Sequence, residues 1–316
     1  MNKEQLKKYL GIFLKIVLPC FIVFSFLLFP INDLSGIISQ KISQATQNQL
    51  SLEFSKIHLN FLPKPALELE KVSLSTPQFS TIKMASLQIA PSILGLITLK
   101  PGVTLYGEDV FGGNLDFSLR SGGSNGKSGT KQVVQASAQN IALDEVLTFL
   151  NLGIKGSGNL QLNLDSNLDP AGTDTEAEVK LDSRDINLPE NNIPTQIGAV
   201  TLPPAKISIL QLEGNLKKNK FKISRGSIGK DGDTIIGSIE GTIDMRVAAG
   251  PQGPQIVPTG YDLILRLRLK NNFLDAFALK PVIENYRTSQ TGSESVFNLS
   301  LSASSMRSPP TITKIQ

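Results

Sequence analysis

The amino-acid sequence predicts a mainly β protein with a single N-terminal transmembrane helix: an antiparallel sheet, curled or in two layers, with a few short helices. Three observations predict it. Residues 9–31 are almost wholly apolar and carry one charge, Lys15. Beyond them apolar and polar residues alternate over many short runs, the period of a strand with one buried and one wet face. Between the runs lie Gly, Asn, Ser and Pro, the residues of turns.

The apolar segment comes first. A helix over 9–31 is long enough to cross a hydrocarbon core of ~30 Å, with Leu10, Phe13, Ile16, Phe21, Phe26 and Phe29 facing lipid. Residues 1–8 form a short tail holding Lys3, Lys7 and Lys8, and Lys15 is near enough to that end to snorkel to the headgroups. Basic flanks stay cytoplasmic, so the expected topology is single-pass in the inner membrane, N-terminus inside and the bulk of the chain in the periplasm. A cleaved signal peptide is the competing reading. Its apolar core would be shorter and would end in small residues, whereas this one ends Phe26-Leu27-Leu28-Phe29-Pro30. The single cysteine, Cys20, lies inside the span, so the exported part folds without an intrachain disulfide.

Residues 32–49 place Leu34, Ile37, Ile38, Ile42 and Ala45 at helical spacing, which predicts a short amphipathic helix on the membrane surface or under the first strands. The period then becomes two. A first β lobe over 50–120 includes Leu50–Phe54, Ile57–Phe61, Leu67–Leu74, Ile82–Ala90, Val103–Tyr106 and Asn114–Leu119, with a short helical turn at Ser92–Leu99. Residues 121–130, rich in Gly and Ser, read as a flexible linker. A second β lobe over 131–316 opens with a strand at Gln132–Ile141. A helix at Leu143–Leu152 follows, with Asp144 as the expected N-cap and Gly153 just past the end. Proline-punctuated loops are expected at 187–204 and 247–259, and a helix at 272–286. Alternation is clearest at Leu160, Leu162 and Leu164, and again at Leu263, Leu265, Leu267 and Leu269 against Asp262, Arg266, Arg268 and Lys270. Each such strand needs a cover for its apolar face. These leucines are therefore the candidate core, or the candidate walls of an apolar groove.

No catalytic, cofactor or metal-binding set emerges. There is one histidine, His58, on the polar phase of a strand, and one cysteine within the span. The common zinc sites need more ligands than that. Asp231-Gly232-Asp233 lacks the remaining acidic ligands of a calcium loop and reads as a hairpin turn. The net charge of +4 is scattered, there is no Trp, and no aromatic-basic stacking surface appears, so nucleic acid is not an expected partner.

The order of basic start, one span ending in Phe29-Pro30, amphipathic helix and Leu-x-Leu-x-x-Val-x-Leu strands resembles the type II secretion system protein N family. It is also similar to AsmA-like envelope proteins. Gln139-Asn140-Ile141-Ala142-Leu143-Asp144-Glu145-Val146-Leu147, followed by Gly153-Ile154-Lys155-Gly156-Ser157-Gly158-Asn159-Leu160, resembles the AsmA-like unit of strand, short helix, Gly-rich turn and strand. The resemblance implies a non-enzymatic accessory of the type II secretion apparatus, anchored in the inner membrane and partnered by other secretion-system envelope proteins. The alternative is a lipid-handling envelope protein whose apolar β groove takes bound lipid.

Overall fold

The structure, a computed structural model, describes residues 35–60, 65–76, 80–92, 102–122, 131–169, 175–195, 198–250, 253–305 and 308–315. The expected tail 1–8, the anchor 9–31 with its six named side chains, and the helical turn expected at 92–99 beyond Ser92 lie outside these residues, as does most of the 121–130 segment. Among the described residues no helix is long and apolar enough to cross a membrane.

Eighteen strands are described. They are β1 (Ser51–Glu53), β2 (Lys56–Asn60), β3 (Ala66–Ser75), β4 (Ile82–Pro91), β5 (Gly102–Val110), β6 (Gly113–Ser121), β7 (Gln132–Ala142), β8 (Ser157–Leu168) and β9 (Glu176–Leu188), then β10 (Asn191–Thr195), β11 (Gly198–Leu202), β12 (Ala205–Lys217), β13 (Lys220–Ile228), β14 (Ile235–Gly250), β15 (Gly253–Lys270), β16 (Arg287–Thr291), β17 (Glu294–Ala303) and β18 (Thr311–Lys314). Sixteen of them form one antiparallel sheet in the order β1-β3-β4-β5-β6-β7-β8-β9-β12-β13-β14-β15-β17-β16, with β2 also on β3 and β18 also on β17. Only β10 and β11 stand apart, as a two-stranded hairpin. Of the two expected arrangements, the structure is therefore one large sheet rather than two facing ones.

The sheet is continuous across the 121–130 segment. Leu119 pairs with Val134 and Ser121 with Gln132, so residues of both expected lobes belong to one hydrogen-bonded array. Bulges adjust it at backbone positions that alternation does not encode. Lys71, Asn140 and Asp185 all have positive φ, and the β7–β8 register shifts between Ala138 and Ile141.

Among the described residues four short helices accompany the sheet. Helix α1 (Ser35–Ala45) falls inside the expected 32–49 segment. Helix α2 (Leu143–Phe149) starts where the sequence indicated, but its N-cap is Ala142 rather than Asp144; Asp144 and Glu145 instead place their negative charge in the first turn, where the helix dipole favours it. The helix expected over 272–286 is broken. It becomes α3 (Asn271–Ala276), an extended Phe277, α4 (Lys280–Ile283) and a 3-10 turn at Glu284–Tyr286. Pro281 accounts for the restart: it lacks an N–H and fits only the first turn of a helix.

The proline-rich segments also carry more structure than their composition suggests. Residues 187–204 contain the β10–β11 hairpin. Strands β14 and β15 continue to Gly250 and back from Gly253, past Lys220 and Ala303 where their outer neighbours stop pairing. The result is a two-stranded arm projecting from the sheet.

Candidate functional site: an apolar face between two helical caps

Residues opposite one another in an antiparallel ladder share a face. Following the pairing from strand to strand, Leu105, Phe117, Ala136, Leu164 and Val179 stand in one row across β5–β9. The row continues through Gly214, Ile223 and Gly241 to Leu263. A second row carries Leu160 through Ser183, Leu210, Ile228 and Gly237 to Leu267. The two leucine stripes named from the sequence, 160–164 and 263–269, are thus brought onto the same face of one sheet. The other apolar residues of these rows, Leu105, Phe117 and Val179 in the first and Leu210 in the second, are not singled out by the sequence. Their signal is the same alternation, but which strands lie side by side is not written in any one of them.

Glycine lets this face fit together in its second half. An ideal Cβ on Gly214 would lie 2.2 Å from Cζ of Phe221, so the Phe221 ring occupies the space over the Gly214 backbone. No larger residue fits there unless the ring moves.

The two ends of the face are covered. At the first, Leu52, Ile57, Leu69, Val72, Met84 and Val110 form a core cluster, and Ile38 and Ile42 of α1 pack against it. Leu69 is fully buried. At the second, Leu269, Leu274, Phe297 and Leu299 form a cluster, with Leu265, Leu267, Ile283 and Tyr286 packed around it. Here α3 and α4 supply the lid: Leu269 is 7 % exposed and Phe297 2 %. Of the predicted residues, Leu265, Leu267 and Leu269 therefore sit in a capped core, with Leu263 half-buried at its border.

The middle differs. Between the caps the described residues form no further core cluster. Several side chains there are buried, among them Val134, Ala138, Ile141, Leu216 and Ile223, but Leu105, Phe117, Leu160, Leu164, Val179 and Leu181 remain half-buried. Leu162 is 37 % exposed. A contiguous apolar patch of this kind on a protein surface marks a place where lipid or another protein sits.

The opposite face is polar. On it a trough of about 740 Å³ opens over β4–β8; its floor is the backbone of Leu105, Phe117, Ala136 and Leu164, whose side chains point to the apolar side. Its walls are the polar residues flanking each of these.

The sequence candidates for chemistry are dispersed. His58 Nε2 lies 2.9 Å from Glu70 Oε1 in an exposed pair on neighbouring strands. Asp231 faces Arg268 at 3.1 Å. Asp233 turns the other way and is buried: its carboxylate accepts from the Ser208 N–H at 2.7 Å, the Ser208 hydroxyl at 2.6 Å and the Lys230 N–H at 2.8 Å. Burial pushes the Asp233 carboxyl up, but these hydrogen bonds and the Lys206 charge outweigh it and hold it below the usual carboxylate range. Asp233 thus clamps the β13–β14 turn to β12. Among the described residues no group of three or more His, Cys, Asp or Glu side chains could hold a metal ion.

Two of the three comparisons with known proteins are empty: neither curated proteins nor solved structures give a match. The third finds that residues 2–98 match the model of the AsmA family. The match covers roughly the first third of the chain, including the expected anchor, α1 and strands β1–β4. Over that stretch the chain is AsmA-like.

Proposed function

We propose that this is an envelope protein of AsmA-like character, held in the inner membrane by residues 9–31, whose apolar sheet face takes lipid acyl chains between its two helical caps. The observation that carries the reading is the half-buried row from Leu105 to Val179 with Leu162 exposed beside it. Water-facing apolar surface costs about 25 cal/mol per Å², and an acyl chain laid along the row relieves that cost without a dedicated protein partner. The AsmA match and the single-pass topology expected from Lys3, Lys7 and Lys8 support this reading, since an envelope protein anchored in a bilayer works beside lipid. Helix α1 fits the same picture, since Ile38 and Ile42 pack on the first cluster while Ile37 is exposed toward its surroundings.

The test is photo-crosslinking in intact cells with a diazirine-bearing fatty acid, followed by mass spectrometry of the full chain. Labelled peptides from β7–β9 support the reading. Labelling confined to residues 9–31, or none, removes it.

The second reading is a structural role in the type II secretion apparatus, favoured by the order of its elements and by the sheet's edge strands, which can accept a partner strand. On that reading the same face docks a secretion-system protein. Crosslinks from β7–β9 to such a protein, with no lipid adduct, would establish it instead.

A further inference from the structure

We propose that the trough on the polar face of β4–β8 binds a short neutral glycan chain. The site is separate from the acyl-chain face, because the two lie on opposite sides of the same strands and share only backbone.

The walls of the trough are built in register. Gln88, Tyr106, Asp116, Ser137 and Asn163 stand opposite one another across five consecutive strands. Two further contacts fix orientations at the far side. The Ser137 hydroxyl donates to Asn163 Oδ1 at 2.9 Å, and Gln135 Nε2 donates to Asp165 Oδ1 at 2.7 Å. These bonds tie the amide and carboxylate groups to their neighbours along the trough wall, and the Asn163 and Asp165 groups each keep a second polar atom unused. Among the described residues none hydrogen-bonds the side chains of Gln88, Tyr106 or Asp116. The row therefore presents paired donors and acceptors at the spacing of adjacent strands, about 4.8 Å.

This chemistry selects among ligands. Vicinal hydroxyls donate and accept at once, and a carboxylate or side-chain amide meets two of them together. The half-buried Tyr106 ring, second in the row beside Asp116, offers a flat apolar surface for the C–H face of a sugar with a hydroxyl at its tip. No Lys or Arg lines the trough, while Asp116 and Asp165 do, so phosphate and anionic sugars are repelled. The four strand intervals from β4 to β8 span roughly 19 Å, which suits an oligosaccharide rather than a single ring. A peptide would need a free strand edge or deep apolar pockets, and the centre of a sheet supplies neither.

The experiment is isothermal titration of the full chain in detergent with an N-acetylglucosamine hexamer and with maltohexaose. A hyaluronan hexamer serves as the anionic control and an unstructured polar peptide as the polypeptide control. Binding of either neutral oligosaccharide is expected, weakened about tenfold or more by Tyr106→Ala and by Asp116→Ala, and unchanged by Leu162→Asp on the other face. Asp116 is exposed, so its variant keeps the fold and reports even where Tyr106→Ala lowers stability. Lack of binding to both neutral hexamers, preference for hyaluronan or the peptide, or equal affinity in the Asp116→Ala variant would overturn the proposal.

Discussion

Two leucines with the same sequence signature should respond very differently to a charge. Leu162 and Leu269 each occupy the apolar phase of an alternating strand, yet one is 37 % exposed and the other 7 %. Leu269 packs in the cluster with Leu274, Phe297 and Leu299. In Leu269→Asp the sheet loses about 2–3 kcal/mol of apolar burial. It also places a carboxylate among the buried apolar side chains of Leu274, Phe297 and Leu299, which costs several kcal/mol more even when the group protonates. The sum rivals the whole stability of a typical domain, about 5–15 kcal/mol. Leu162→Asp forfeits only part of a leucine's burial, about 1–2 kcal/mol, because its carboxylate reaches water from the uncovered face. Urea denaturation of the detergent-purified full chain, followed by far-ultraviolet circular dichroism, separates the two. Leu162→Asp should shift the midpoint modestly and leave the slope unchanged, whereas Leu269→Asp should abolish the transition or move it to very low urea. Equal, severe loss in both variants would mean that the middle of the face is sealed, and would refute the reasoning.

The Asp233 clamp makes a pH prediction. Its carboxyl lies below the usual range when folded, so its contribution to stability is complete above the unfolded value, near 3.9, and fades as pH falls through the folded one. The stability gap between the native protein and Asp233→Ala should therefore be widest at neutral pH and narrow below about pH 4, as read by denaturation at a series of pH values. A gap that grew on acidification would contradict the assignment. The 121–130 segment makes another. Limited trypsin digestion should cut at Lys127 or Lys131, and the two fragments should co-elute on size exclusion in native buffer, because the β6–β7 ladder joins them from Asn114–Gln139 to Ser121–Gln132. Separation of the fragments without denaturant would sink this expectation.

Much of the fold was legible because antiparallel strands with one wet face write themselves as period-two alternation. The β8 and β15 leucines are examples, and so is Phe297-x-Leu299-x-Leu301 in β17. What alternation cannot carry is what lies above a strand. Leu162 and Leu269 are indistinguishable in their local sequence, and the difference between them is supplied by Leu274 and Phe297, from a helix and a neighbouring strand. Bulges at Asn140 and Asp185 escaped for a related reason: each is a single positive-φ residue inside an otherwise regular run. Composition misled at 247–259, where Gly and Pro suggested a loop but each of the two strands satisfies the other's backbone in the β14–β15 arm. The polar trough was invisible because it depends on which polar residues stand abreast across five strands, and no single run holds that information.

The near-sequential strand order has a kinetic meaning. From β3 to β9 each strand bonds to the one made just before it, and β12 to β15 repeat the pattern after the β10–β11 hairpin. Contacts of this kind close short loops, so little chain entropy must be surrendered before each new pairing is rewarded. A chain emerging from its N-terminus can thus build the sheet like a zip, one strand at a time, with its template always in place. The growing margin is also the one that is sticky, a row of unpaired amides and carbonyls renewed with every strand. Growth halts when β16 and β18 both settle on β17, the last broad strand, and helices α3 and α4 cover the leucines behind it. A chain arrested before residue 287 would keep its margin open and should be the form most prone to self-association.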